Sequence, residues 1–300
     1  MTIPLIFGIT LAVFLLLKTL PGEPALSLVG QRADVELIRQ IRSQLGNDKG
    51  VLSQYIGYLK LLSHGDLGRS YYTGRDVLTD ILAKFPNTVK LASSAMLIAT
   101  IPGILLGFLS IFLSQREKNL TSRIIDYITL GALSVPVFWS GIILMMLFGL
   151  KLRMLPPSGT GGVRYIILPA LTLAIPAMAS LSRITRAIVS DILKQPFIVT
   201  AKAKGLSESR IAIIHVLRNA IIPIVTVIGL DFGSYLNGSV VTETIFGWDG
   251  LGRFTMEAIT MRDYPVIMGC IILGALVFTM VNLITDIIYN LLDPRVRQDV

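Results

Sequence analysis

The sequence predicts an all-α polytopic membrane protein with six transmembrane helices, and three observations predict it. Hydrophobic residues make up 53% of the 300 residues and charged residues only 15%, well below the ~25% charged of a soluble domain. Six apolar runs approach or exceed the roughly 20 residues that cross a bilayer. The lysines and arginines are gathered between particular runs rather than spread along the chain.

The first run covers residues 1–17 and reaches about residue 20 if Lys18 carries its ammonium to the interface on its aliphatic stem. It has no basic head, and its apolar stretch exceeds the ~7–15 residues of a signal-peptide core, so it is read as a retained anchor. Pro21-Gly22-Glu23-Pro24 then stops the helix. A large external loop follows over 21–86, where eight cations are offset by seven acids. Inside it, the spacing of Val35, Ile38, Ile41 and Leu45 predicts a helix over 34–45 with Gly46 as its stop. A second apolar stripe over 51–62 ends at His64-Gly65. The remaining apolar runs are 91–113, 127–150, 165–182, 219–242 and 264–285. Helices are expected over about 88–114, 124–150, 165–189, 219–242 and 264–290, with a cytoplasmic tail over 292–300. Pro136, Pro176 and Pro223 are expected to kink their helices.

Lys/Arg asymmetry over short loops sets the orientation. The segment 183–218 holds seven cations, against three in 151–164 and two in 242–263. That segment and both termini are therefore expected in the cytoplasm. The net charge of +8 follows from this asymmetry and does not indicate nucleic-acid binding. The single cysteine, Cys270, excludes an internal disulfide.

Between the fourth and fifth runs lies FIVTAKAKGLSESRIAIIHVLRNAIIP. Pro196 blocks propagation of the preceding helix. Residues 197–204 then predict two helical turns with Phe197, Ile198 and Ala201 on one face. Gly205 suits a left-handed stop, and Ser207 an N-cap. A second helix, with Ile211, Ile214 and Leu217 as its stripe, leads into the fifth span. The result is a cationic helix–turn–helix elbow with small residues at its bend, which by these features alone is equally a basic linker lying on the bilayer surface.

The pattern T-A-K-A-K-G-L-S-x-x-R followed by H-V-L-R-N-A-I-I-P resembles the cytoplasmic coupling segment of ATP-binding-cassette (ABC) importer permeases. More narrowly, it resembles the first permease subunit of dipeptide, oligopeptide, glutathione and nickel uptake systems. LPGEPA at 20–25, GDLGRSYYTGRDV at 65–77 and ILPALTLA at 167–174 carry the same likeness. So do ETIFGWDGLGR at 243–253, RDYPVIMG at 262–269 and LLDPRVR at 291–297. Against the broader Glu-Ala-Ala…Gly…Ile-x-Leu-Pro pattern only Ala201, Gly205 and Leu217 match. The basic head that usually precedes the first span is also absent, which raises the expectation of a start farther upstream.

The resemblance implies a type I ABC importer permease bundle of the MetI-like kind in a bacterial inner membrane. It assigns ATPase coupling to Val199, Thr200, Ala201, Lys202, Ala203, Lys204 and Gly205, with His215 and Leu217. The implied partners are a second permease subunit, two ATP-binding subunits, an extracytoplasmic substrate-binding protein and the lipid bilayer. No phosphate-binding G-x-x-x-x-G-K-[ST] loop occurs, so ATP and magnesium belong to the partner ATPases and this chain holds no cofactor. Di- or oligopeptide is the expected substrate, with nickel as a chelate, then glutathione, as alternatives.

Among other residues, Asp231, mid-span between Gly229 and Gly233, and Asn282 are the candidates for lining the passage. Lys90, Asn219 and Asp286 lie nearer span ends. No catalytic or metal-binding residue is expected: His64 and His215 are the only histidines and fall on opposite sides. A secondary transporter would also have six spans and would place coupling-ion residues near the midplane; Asp231 alone supports that alternative. An intramembrane enzyme would need a motif such as H-E-x-x-H or G-x-S-x-G, and the sequence has neither.

Overall fold

The computed structural model describes residues 2–19, 50–114, 120–236 and 239–292. The helix expected over 34–45 and the turn expected at Pro21 to Pro24 lie outside these residues, as do LPGEPA and most of LLDPRVR. The described chain is helical apart from turns and one isolated bridge between Arg69 and Asp76.

Helix α1 is Thr2–Thr19 and α2 is Val51–Ser63. The stop expected at His64-Gly65 is present: the Gly65 amide donates to the Leu62 carbonyl (2.9 Å) and the Asp66 amide to that of Leu61 (3.1 Å). These are the paired bonds of a Schellman stop around a left-handed glycine, and Gly65 has φ +75°. Helix α3, Val77–Ser114, begins well inside the segment read as external loop. Asp76 starts it by accepting from the Thr79 amide (2.8 Å) and hydroxyl (2.7 Å). These bonds, the hydroxyl's first, hold the Asp76 carboxyl below its ordinary range.

The third run departs from a single helix. It divides into α4, Leu120–Ser134, and α5, Val137–Lys151, bent by 99°. Pro136 lacks an amide donor and forces Val135 out of helical geometry, so it breaks the helix where a kink was expected. The last turns of α5, Met145–Lys151, are π-helical. Helices α6, Val163–Leu193, and α7, Pro196–Ala203, follow. Helix α8, Glu208–Leu236, joins the second limb of the elbow and the fifth span into one rod. That span ends at Leu236, and the last residues of the 219–242 run belong to a separate short helix, α9, Val240–Ile245. Helix α10, Leu251–Met261, and α11, Tyr264–Leu292, complete the described chain.

Among the described residues, four helices (α3, α6, α8 and α11) are long and apolar enough to span a membrane, and the bent α4–α5 pair makes at most five. The described part of α1 has 18 residues, against the roughly 20 that cross a bilayer. Among the described residues the six expected spans thus appear as four long helices, one broken pair and α1.

The most extensive packing joins α3 to α6. Gly103 and Gly107 form a G-x-x-x-G stripe on α3 that lets the two backbones approach. A methyl group at Gly107 would lie 2.6 Å from the Ser182 carbonyl oxygen. Gly229 and Gly233 repeat the device on α8, against Thr285, Phe278 and Val281 of α11. Chain alternation places the elbow at one end of the bundle. At the other end lie α2, the 64–76 connector, and the α9–α10 hairpin.

Candidate functional site

The elbow is built as local sequence dictates. Gln195 is extended, Pro196 takes the first helical position, and α7 runs for eight residues. The Gly205 amide donates to the Lys202 carbonyl (2.9 Å) and the Leu206 amide to that of Ala201 (3.3 Å), a second Schellman stop. Gly205 has φ +74°, where a side chain is strained. Ser207 occupies the N-cap of α8, although its hydroxyl makes no capping bond; the Ile211 amide donates to its carbonyl (3.0 Å).

The faces differ from the periodic reading. Ile198 and Ala201 are buried with Val189, Ile211, Val216, Ala220 and Ile224, whereas Phe197 and Val199 are 41% and 64% exposed. The expected grouping of Phe197 with Ile198 and Ala201 therefore splits. The expected stripe of Ile211, Ile214 and Leu217 is replaced by Ile211, Val216 and Ala220, with Ile214 exposed. The cause is the π-helical stretch Ile211–Leu217: an i→i+5 repeat puts Ile211 and Val216 on one face. Asn219 donates its Nδ2 to the His215 carbonyl (2.6 Å) across this stretch. Of the predicted coupling residues, Val199, Thr200, Lys202, Ala203, Lys204 and Gly205 are exposed; Ala201 is buried, and His215 and Leu217 are half-buried. Beside the elbow, Arg186 of α6 pairs with Asp126 of α4, which also accepts from the Ser110 hydroxyl (3.3 Å).

Asp231 lies half-buried on α8. At about 100° per residue it sits on the side of α8 opposite Gly229 and Gly233, and so away from the α11 seam. Four residues on, along the same face, the Tyr235 hydroxyl donates to the Leu173 carbonyl of α6 (3.0 Å). Among the described residues the Asp231 carboxylate accepts no hydrogen bond. Asn282 lies on α11 with its Oδ1 buried and without a partner among the described residues. Lys90, Asn219 and Asp286 are exposed.

Sequence reasoning missed a polar network at the opposite end, where three of the quoted motifs meet. Glu243 is wholly buried. It accepts from the Thr88 hydroxyl (2.8 Å) and the Arg253 amide (3.0 Å), and Thr88 in turn accepts from the Leu251 amide (2.8 Å). The first turn of α10 is thereby satisfied from α9 and α3. Burial raises the Glu243 carboxyl above its ordinary range, against the donors that lower it, the Arg253 amide first. Lys84 pairs with Asp249, and the Trp248 indole donates to the Asn87 carbonyl (3.0 Å). Asp263 accepts from the Ser70 hydroxyl (2.5 Å) and the Tyr71 amide (3.1 Å), tying the connector to α11. Burial first, then Asp263, pushes the Tyr71 phenol up to about 12. A glutamate seven and nine residues before the two glycines of G-L-G was the available signal: a residue with a Cβ at Gly250 would collide with the Glu243 carboxylate at about 2.5 Å.

Comparison with known proteins accounts for nearly the whole chain. Residues 103–298 match the family described as binding-protein-dependent transport system inner membrane component, and residues 2–92 match the N-terminal family of such membrane components. The di/tripeptide transport system permease protein DppB of Pseudomonas aeruginosa is 37% identical over 324 residues, covering 98% of this chain and 96% of that protein. The glutathione transport system permease protein GsiC of Escherichia coli K12 is 38% identical over 295 residues, covering 98% and 95%. The solved structure of the MetNI methionine ABC transporter in an inward-facing conformation aligns with a TM-score of 0.59 at 14% identity. It covers 72% of this chain and 97% of the transporter chain. That likeness concerns the fold. The chain belongs to the binding-protein-dependent transport system inner membrane component family, the permease subunits of ABC importers.

Proposed function

We propose that this permease passes di- or oligopeptides inward as one half of a heterodimeric passage, driven by ATP hydrolysis on two partner subunits. An extracytoplasmic binding protein delivers the substrate, and the elbow end of the bundle faces the cytoplasm. The observation that carries the coupling role is the division of α7 into a buried face and an exposed one. Ile198 and Ala201 anchor the elbow to its own bundle, while Phe197 and Val199 present apolar surface beside Lys202 and Lys204. Exposed apolar surface at a cationic membrane edge suits a protein partner better than water. Movement of that partner would rock α6 and α8 together, because α7 is packed into both.

Val199→Asp is expected to leave the chain and its permease partner in the membrane while bound ATPase falls at least ~10-fold and uptake is lost, as a desolvated unpaired carboxylate costs several kcal/mol. Co-purification and uptake from the same cells measure it. Wild-type uptake with the ATPase still bound would remove α7 from the docking surface. Ala201→Asp instead breaks the packing of the elbow itself. Gly205→Pro removes the amide that bonds Lys202 and imposes a negative φ, so both variants should lose uptake together with elbow order.

The DppB and GsiC likenesses support peptide-sized substrates, which carry an ammonium and at least one carboxylate. A lone intramembrane acid is a costly residue that lines cavities more often than lipid, and Asp231 is the proposed contact for the cationic end. Asp231→Asn should change uptake per purified complex in a manner that depends on substrate charge, cationic dipeptide falling more than anionic. Equal ratios for both peptides would remove Asp231 from the passage. Glutathione is the second reading, favoured by the GsiC identity. A binding assay on the delivering protein with glutathione and dipeptides separates the two.

A further inference from the structure

We propose that Arg186 and Asp126 are positioning residues for transport: their ion pair is the inner anchor through which movement of the elbow reaches the bent α4–α5 pair, and α5 carries that movement on to the external α9–α10 hairpin. The inference rests on the ATPase-coupling reading of the elbow.

Asp126 is the only acid of α4, and three helices meet at its carboxylate. It pairs with Arg186 of α6 and accepts from the Ser110 hydroxyl of α3 (3.3 Å). One turn earlier on α4, the Ser122 hydroxyl donates to the Ser110 carbonyl (3.1 Å). Helix α4 is thus polar toward the bundle and apolar away from it. Two of its three buried residues, Ser122 and Thr129, carry hydroxyls, whereas Ile124, Tyr127 and Ile128 are exposed. Helices in lipid have little hydrophobic drive toward one another and are held by close packing and polar groups, so the grip of α4 on α3 and α6 is centred on this cluster. An apolar seam can slide at small cost. An ion pair sheltered from water cannot, because opening it strands both charges.

The position of the pair gives it a mechanical role. Val189, one turn beyond Arg186 on α6, is buried in the elbow core with Ile198 and Ala201. Among the described residues that core draws on α3, α6, α7 and α8, and on none from α4. Movement of the elbow therefore passes first to α3 and α6, which the close approach at Gly103 and Gly107 joins, and α4 follows through its cluster with them. The other limb of the bent pair reaches the opposite end of the chain. A Cβ at Gly141 of α5 would lie 3.1 Å from the Thr172 methyl of α6 and 3.2 Å from the Phe246 ring. Phe246 is buried at the turn between α9 and α10, and its carbonyl accepts from the Gly159 amide (2.8 Å). The bent pair is held near the elbow at Asp126 and against the external hairpin at Phe246. A packed element held at both ends is a contiguous route for coupling.

The complete importer reconstituted in liposomes with its loaded binding protein tests this, with labelled dipeptide transported per ATP hydrolysed as the readout. Arg186→Gln and Asp126→Asn are each expected to keep the ATPase bound while that ratio falls at least ~10-fold. Arg186→Lys keeps a cation opposite Asp126 and should hold the ratio within ~3-fold of wild type; a loss as large as that of Arg186→Gln would overturn the ion-pair anchor. An unchanged ratio in both neutral variants overturns the proposal even if less complex assembles, because a merely structural pair lowers yield and not the ratio. If neither neutral variant assembles, Ser110→Ala decides: it deletes one oxygen from the cluster, and an undiminished ratio there overturns the proposal. The coupling reading fails separately. ATPase retained by Val199→Asp removes the docking surface, whereas ATPase lost from Val199→Asp with an unchanged ratio in the Arg186 and Asp126 variants removes the anchor alone.

Discussion

Glu243→Ala is expected to lower the amount of assembled permease several-fold, although Glu243 lies far from the elbow. The carboxylate is the shared acceptor for the Thr88 hydroxyl and the Arg253 amide, with the Ser239 hydroxyl at 3.4 Å. Removing it strands donors in a site sealed from water, at about 1–3 kcal/mol for each. Because Thr88 also holds the Leu251 amide, the start of α10 loses its tie to α3. Glu243→Gln should be far milder, since one amide oxygen still faces the α10 amides while its NH₂ turns to the hydroxyls. The pH dependence follows from the raised carboxyl. A carboxyl that binds its proton more tightly folded than unfolded contributes stability that is present below the unfolded value, ~4.3, and lost as pH rises through the folded value. Thermal stability of the detergent-solubilised wild type, relative to Glu243→Gln, should therefore fall as pH rises through that window. A relative stability that rises with pH would show that the hydrogen bonds outweigh burial.

Gly107→Leu is expected to abolish the folded bundle. Even a methyl group there would lie 2.6 Å from the Ser182 carbonyl oxygen and 2.7 Å from the Thr185 Cβ. Neither neighbour can swing aside, one being backbone and the other a branched carbon inside α6. Helices α3 and α6 would have to separate along the seam that organises the chain. Overpacking of this kind costs about 1–3 kcal/mol and sometimes more, and a membrane bundle has little hydrophobic drive to re-form contacts once small-residue packing is lost. Gly131→Leu, with nothing within 4 Å of its Cβ position, is the matched control and should be near neutral. Recovery of monodisperse complex after extraction measures both. Equal recovery of Gly107→Leu and Gly131→Leu would mean that α3 and α6 are not closely packed in the membrane.

Local signals in the sequence were legible where the chemistry is local. Pro196 at a helix start, Gly205 at a left-handed stop and His64-Gly65 after an apolar stripe each act through their own backbone, and each is found where the residues indicate. The faces of the elbow were not legible. A 3.6-residue repeat groups Ile211 with Ile214, but the π-helical stretch groups Ile211 with Val216, and a change of repeat depends on what the helix packs against. The third run misled for a similar reason: its composition is uniformly apolar through Pro136, and only the 99° bend distinguishes a broken pair from one helix.

Composition by itself determined a membrane protein, and the resemblance carried by the ordered motifs marked it as a permease of the importer kind, because both are properties of the string of residues. The sequence also placed the elbow, its bend and the lone acid in the fifth span. Only the tertiary structure decided what Glu243, Asp263 and Asp249 do. Their partners, Thr88, Ser70 and Lys84, are more than 150 residues away, and nothing in either segment names the other until the helices are packed. The structure likewise turned Ala201 inward and Val199 outward, and set Asp231 opposite the α11 seam. A residue's spacing tells which neighbours share its face; which face is buried depends on where the other helices lie.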